Sequence, residues 1–587
     1  MVAAQETFET DMANTPPQII AGDTLRVASL STWDLQGGAA RAAYRLHRGL
    51  LQLGQDATLH VRIRHSDDPS TRAVLPIEAS AQLETLDDLA RVQAYYIDHN
   101  RTDLSNTIFT LPYPAVDLSS VAAITSADIL HLHWVARWQS PVTLSKLVEA
   151  HRKPVFWTLH DMWAFTGGCH FSAGCEGYRE YCRNCPQLQD DPYQLPAMLL
   201  QDKIDFLDGK NFVVVAPSRW LADCARASTF FAHSRIEVIP YALDTAIFAP
   251  VAKPEAKLAL GLEAHSQVIL FGAHNCTERR KGFSEMIAAL RLFLKQPQFH
   301  ERIKNQTLRL WCFGYIGSLD LADLPVVHLG EIRSDEELRR IYAAADLFCL
   351  PSLEDNLPNT LLEAMACATA VIAFAAGGTL DVLQDRVHGR LVPVGDVQAL
   401  ARTIGECLQD PQLAEYGRQG RRLIEAHYAG TTEAARYLEL YRDVLLDQPR
   451  SVLQTATAAR DAAIQAAVET TSGPTFAAMA KQVQSACLRL EVQDLRSQLE
   501  KTRQQLHETW QELEATRKDY WDSQGLLWQT RGELDRSHYA RQALQQQIAG
   551  MESSKFWQLR NSWFELKNKL GIDTDMSPGI EEQKKEP

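Results

Sequence analysis

No apolar run in the 587-residue chain approaches the roughly 20 residues needed to cross a bilayer, so a helical membrane-spanning protein is excluded. Positive charge is in deficit. Lys and Arg number 59 against 73 Asp and Glu, and the net charge of -14 argues against general nucleic-acid binding, which needs a basic face to neutralise phosphates. The stretch 1–23 lacks the apolar segment of a signal peptide and reads as a disordered leader, which makes the expected location cytoplasmic. Cysteine is sparse, 11 in all, and in a reducing compartment disulfides are not expected. Clustered thiols are then metal ligands or core residues.

From Thr24 short apolar strands alternate with amphipathic helices, the pattern of a doubly wound α/β domain with a parallel sheet covered on both faces. Strands are expected at Leu25–Leu30, Ala57–Val61, Ile129–His133, Val155–Leu159 and Val213–Pro217. Gly37-Gly38 opens a helix over Ala39–Leu53, which Gly54 ends. The alternation restarts after Pro240, with strands at Val268–Gly272, Leu308–Phe313, Asp346–Pro351 and Ala370–Phe374 and a helix over Phe283–Leu294. Two Rossmann-like domains, 24–238 and 239–446, would enclose a cleft at the carboxyl ends of their strands, where such sheets bind ligands.

Beyond Leu446 the composition shifts to Ala, Thr and Gln, a linker over 447–485. A coiled coil is expected over 486–550, because Leu499, Leu506, Leu513, Tyr520, Leu527 and Leu534 recur every seven residues. Its second seam is hydroxylic at Thr502, Thr509, Thr516, Ser523, Thr530 and Ser537, which weakens pairing, although a homo-oligomer is one outcome. Over 551–572 an amphipathic helix carries Phe556, Leu559, Trp563, Leu566 and Leu570 on one face, with Lys555, Arg560, Lys567 and Lys569 nearby. That combination suits a helix in an anionic membrane interface through 553–570, peripheral to the inner face of the plasma membrane. Packing of the aromatics on the enzyme or a partner helix is the other reading. The end, 573–587, reads as a disordered tail.

The chemistry concentrates in three segments. Pro351-Ser352-Leu353-Glu354-Asp355-Asn356-Leu357-Pro358-Asn359 leads from an apolar strand into a helix that holds Glu363. A helix N-terminus offers unpaired N–H groups and a positive dipole end to a diphosphate, and Glu363 could accept from ribose hydroxyls. Simple capping by Asp355 and Asn356 is the alternative. Arg279-Arg280-Lys281-Gly282 supplies positive charge, or is a solvated basic turn. Thr158-Leu159-His160-Asp161-Met162-Trp163 ends a strand of the first domain facing the cleft, and His160 there is functional or structural. Separately, Cys169, Cys175, Cys182 and Cys185 follow the pattern C-x5-C-x6-C-x2-C, consistent with structural zinc or with unligated thiols, and His170 is a substitute ligand.

At these residues the chain resembles the family-4 retaining glycosyltransferases (group 1) of the GT-B fold, and most closely their colanic-acid and exopolysaccharide biosynthesis type, over roughly Leu25 to Leu446. The resemblance implies that Asp355 meets the donor sugar and Glu363 the ribose. Lys281 neutralises the donor diphosphate; Asn275 stands where the family has an arginine, and Arg280 supplies the second charge. His160 lies beside the transferring sugar, and Gly37 and Gly38 let backbone approach the donor phosphate or the acceptor. Asn356 and Asn359 complete the donor site. Implied are a nucleotide-diphosphate sugar donor, a saccharide or lipid-linked oligosaccharide acceptor, transfer of a hexose with retention, and no metal for catalysis. Alternatives are a nucleotide-sugar 2-epimerase-like enzyme and a non-catalytic coiled-coil assembly protein.

Overall fold

The computed structural model describes residues 24–74, 100–447 apart from 106–107, 111, 113–114, 190, 192–194, 318 and 333, and then 476–552, 562–563, 565–566 and 569. The expected leader, the tail 573–587, most of the linker and most of 551–572 lie outside the described residues. Contacts divide the chain into two units, Met1–Arg450 and Ser451–Pro587.

The first unit holds two parallel sheets. In the first, β1 (Arg26–Trp33), β2 (Asp56–Ile63), β3 (Thr71–Ala73), β4 (Ile129–Leu132), β5 (Val155–Thr158), β6 (Phe212–Ala216) and β7 (Arg235–Val238) lie in the order β3-β2-β1-β4-β5-β6-β7. In the second, β8 (Gln267–Asn275), β9 (Leu308–Tyr315), β10 (Val326–His328), β11 (Leu347–Leu350), β12 (Ala370–Phe374) and β13 (Gly389–Val392) lie in the order β10-β9-β8-β11-β12-β13. Both are Rossmann-like. Every central strand is buried on both faces, which is why these segments are apolar runs in the sequence rather than alternating ones. The pleat divides them: Phe212, Val214 and Ala216 of β6 enter one core, and Val213 and Val215 enter the other.

The sequence assigned 239–446 to the second domain, but its last helix, Thr432–Asp447, crosses back. Ala434, Tyr437, Leu440, Tyr441 and Val444 pack with Val27, Leu46, Leu50, Phe156 and Val213 on the first sheet. Tyr437 Oη lies 2.6 Å from Thr158 Oγ1, and Tyr441 Oη lies 2.6 Å from His131 Nδ1. The helix thereby ties the first sheet to the second lobe.

The second unit is one helix, Phe476–Glu552, which begins inside the expected linker. Leu506, Leu513, Leu527 and Leu534 of the seven-residue line are 61 to 69% exposed, an apolar stripe along the described part of the helix.

Candidate active site

Between the lobes, at the carboxyl ends of β1, β5, β8 and β11, lies a cleft of about 280 Å³. Gly37, Gly38, His160, Asp161, Tyr241, Asn275, Arg280, Lys281, Asp355, Asn356 and Asn359 all line it. Residues up to 321 apart in sequence, such as Gly38 and Asn359, meet here.

The acidic loop and the basic turn form one unit. Lys281 Nζ lies 2.6 Å from Asp355 Oδ2, and Arg280 Nη1 lies 3.3 Å from Asp355 Oδ1. Burial pushes the Asp355 carboxyl up, but the charges of Lys281 and Arg280 outweigh it and hold the group below the usual carboxylate range. The Arg280 guanidinium also pairs with Glu278 at 2.9 Å and lies 4.0 Å from the centre of the Phe171 ring. Gly282 makes the approach possible: its φ is 68°, and a Cβ there would sit 1.7 Å from the Pro351 carbonyl oxygen.

Asp355 and Asn356 do not cap the helix Asn359–Ala366. Its N-cap is Pro358, with no side-chain hydrogen bond, so the end that faces the cleft keeps its first-turn N–H groups clear of capping side chains. Asn356 instead bridges the lobes: Nδ2 donates to the His160 carbonyl at 3.1 Å, and Oδ1 accepts from Ser218 Oγ at 2.7 Å. Asn359 Nδ2 donates to the Gly38 carbonyl at 3.2 Å, and a Cβ at Gly38 would press on that same nitrogen at 3.3 Å. The glycine turn thus lets the first lobe's backbone reach the helix N-terminus.

One carboxylate is placed differently from the sequence expectation, and a second, Glu354, is held by the first lobe. Glu363, read as the ribose acceptor, is buried and paired with Arg45 at 3.1 Å, and is not among the residues lining the cleft. Glu354 accepts from the backbone N–H of Ala173 at 2.9 Å, in the first lobe, so it turns away from Asp355.

His160 lines the cleft with both ring nitrogens engaged, Nδ1 at 2.8 Å from Tyr241 Oη and Nε2 at 3.1 Å from His133 Nδ1. Burial lowers its pKa to about 4, so the imidazole is neutral. Asp161, beside it, takes Trp134 Nε1–H at 2.7 Å, the Trp163 N–H at 2.9 Å and His170 Nδ1 at 2.6 Å. Burial raises this carboxyl, and the His170 and N–H contacts reverse that and leave it lowered.

Cys169, Cys175, Cys182 and Cys185 do come together, around a cavity of about 20 Å³. Backbone N–H groups of Gly177 and Gly167 each lie 3.2 Å from a sulfur, those of Cys175 and Cys182. Among the described residues, however, no group of three or more His, Cys, Asp or Glu side chains is placed to hold a metal ion, so the thiols are gathered without a coordinating arrangement. His170, the substitute ligand considered from sequence, is committed to Asp161 and, through Nε2, to Thr110 Oγ1 at 2.9 Å.

Sequence reasoning missed Tyr241, Asp161, Trp33 and Trp134 as cleft residues; the two tryptophans stack at 5.0 Å on its first-lobe wall. Asp161 was adjacent to a residue already singled out. Tyr241 carried no signal, because its partner lies 81 residues away.

Residues 266–410 match the family model described as Glycosyl transferases group 1. These residues form a Glycosyl transferases group 1 domain. The matched span holds Lys281, Arg280, Asp355 and Glu363, so the basic turn and acidic loop of the cleft fall inside it. The chain is 24% identical over 437 residues to WcaC of Escherichia coli K12, named as a putative colanic acid biosynthesis glycosyl transferase, covering 70% of this chain and 97% of that protein. It is 28% identical over 275 residues to the alpha-maltose-1-phosphate synthase of Mycolicibacterium smegmatis, covering 43% of this chain and 67% of that one. Among solved structures, sucrose-phosphate synthase from Thermosynechococcus elongatus superposes with a TM-score of 0.48 at 21% identity, covering 72% of this chain and 99% of that one.

Proposed function

We propose that the enzyme moves a hexose from a nucleotide-diphosphate sugar to a saccharide acceptor with retention of anomeric configuration, in synthesis of an exopolysaccharide or envelope polysaccharide. One observation carries this reading: Lys281 and Arg280 converge with Asp355 at a helix N-terminus inside a cleft between two Rossmann-like lobes. Two cations and a helix dipole at one point suit a diphosphate, whose charge grows as it leaves. The name of the WcaC relative supports a polysaccharide product.

In the proposed step the bond from the anomeric carbon to the donor phosphate oxygen breaks. The acceptor hydroxyl oxygen bonds to that carbon on the same face, and its proton passes to the departing phosphate oxygen. Lys281, Arg280 and the N-terminus of Asn359–Ala366 stabilise the nucleoside diphosphate. Asp355 orients Lys281 and faces the sugar. We further propose that the exposed leucine line of Phe476–Glu552 pairs with a second copy and that 553–570 lies on a membrane carrying a lipid-linked acceptor.

The test is to incubate the full chain with UDP-, GDP- and dTDP-linked hexoses, with and without saccharide acceptors, and to follow products by proton NMR. The expected result is acceptor-dependent transfer with the donor's anomeric configuration retained. An isomerised nucleotide sugar formed without acceptor would establish the epimerase reading instead, and inversion would remove the same-face mechanism.

A further inference from the structure

His160 spends both ring nitrogens on protein groups, and its neighbour His133 does not. His133 Nε2 is buried and has no hydrogen-bond partner, while its Nδ1 faces His160 Nε2. Burial keeps both rings neutral, His160 at about 4 and His133 well below its usual value, so each ring carries one proton. Two proton arrangements satisfy both contacts. In the first, His133 Nδ1–H donates to His160 Nε2, and His160 Nδ1–H donates to the Tyr241 oxygen; His133 Nε2 is then a bare lone pair. In the second every bond is reversed, Tyr241 donates to His160 Nδ1, and His133 is left with a buried Nε2–H that has no acceptor. Orphaned buried N–H donors are rarer than under-used acceptors, which favours the first arrangement.

The consequence falls on Tyr241. Its oxygen accepts from His160, its only hydrogen-bond partner among the described residues, so its own hydrogen is uncommitted among them. Burial raises the phenol pKa well above the usual value, so that hydrogen stays in place. The residue lines the same cleft as Lys281 and Asp355. We propose that Tyr241 donates a hydrogen bond to an oxygen of the donor sugar, and that His133, acting through His160, is the positioning residue that fixes this polarity. The sugar contact rests on the donor reading above; the proton arrangement does not.

The experiment therefore has two arms. Long-range proton–nitrogen correlation NMR of the full chain labelled with 15N-histidine, assigned with His133→Gln and His160→Gln, reads the tautomers without any ligand. The expected pattern is protonated Nδ1 in both His133 and His160; protonated Nε2 in both would overturn the inference. In the second arm, calorimetry compares Tyr241→Phe with the wild type for a nucleotide-diphosphate sugar and for the matching nucleoside diphosphate. A roughly fivefold weaker sugar nucleotide with unchanged nucleoside diphosphate is expected for one lost hydrogen bond. Equal affinities for the sugar nucleotide, or equal weakening of both ligands, would overturn the sugar contact. Failure of either protein to bind any nucleotide sugar, with the tautomers as expected, would instead strike the donor reading.

Discussion

Replacing Lys281 by alanine separates the structural role of the basic turn from the binding role proposed for it. The Asp355 side chain is 9% exposed and that of Lys281 18%, so the pair at 2.6 Å is screened little by water. Removing one partner of a buried pair costs about 3–5 kcal/mol when the other charge is left bare. Asp355 is not left bare: Arg280 remains at 3.3 Å, Ser352 Oγ at 3.2 Å and the Asn356 N–H at 3.2 Å. The expected loss is therefore about 2 kcal/mol, below the range for a pair whose partner is left bare. A carboxyl held below its ordinary value contributes stability above the unfolded pKa of roughly 3.9, and this is lost as pH falls through the folded value. The difference between wild type and Lys281→Ala should be full at pH 7 and shrink below about pH 4. Urea unfolding across that range measures it. Lys281→Ala combined with Asp355→Asn should cost less than the sum of the single changes by about 1 kcal/mol or more. Strict additivity, or a stability loss independent of pH, would refute the buried ion pair.

Three further outcomes are expected. Glu433 is fully buried and accepts the Ala242 N–H at 2.8 Å; burial raises its carboxyl to about 8 against that bond and the charges of Arg45 and Arg436. A raised carboxyl pKa makes wild-type stability fall as pH rises from about 4.3 towards the folded value, and Glu433→Gln should flatten that decline in urea midpoints. Gly282→Ala places a Cβ against the Pro351 carbonyl at φ 68° and should lower stability by about 2 kcal/mol or more, read by denaturant unfolding. Tyr441→Phe removes the 2.6 Å contact to His131 that ties the closing helix to β4, and should cost about 1 kcal/mol while leaving nucleotide binding intact.

The sequence announced the sheets where physics makes strands conspicuous. Phe283–Leu294 and Ala370–Phe374 match the expected bounds, because each is a compact apolar or amphipathic run with clear ends. β3, β7, β10 and β13 were not foreseen. They are the edge strands of the two sheets, three or four residues long, and β7, Arg-Ile-Glu-Val, has no buried residue to mark it. The helix Thr432–Asp447 was not singled out, and periodicity cannot say which sheet an apolar face will cover. At the cleft, short segments and the family resemblance they carry brought out Lys281, Asp355, Asn356 and His160. What stayed hidden was set by long-range pairing. Arg45 takes Glu363 from 318 residues away, Ala173 takes Glu354, and Tyr241 meets His160 only once the lobes face each other.

The central claim is that Lys281, Arg280 and the N-terminus of Asn359–Ala366 hold the donor diphosphate. Calorimetric titration of the best nucleotide-diphosphate sugar into wild type and Lys281→Ala, each shown folded by circular dichroism, tests it most directly. Loss of one charge-assisted contact predicts a Kd raised about tenfold or more in the variant. A folded Lys281→Ala protein that binds the donor as tightly as wild type would contradict the account.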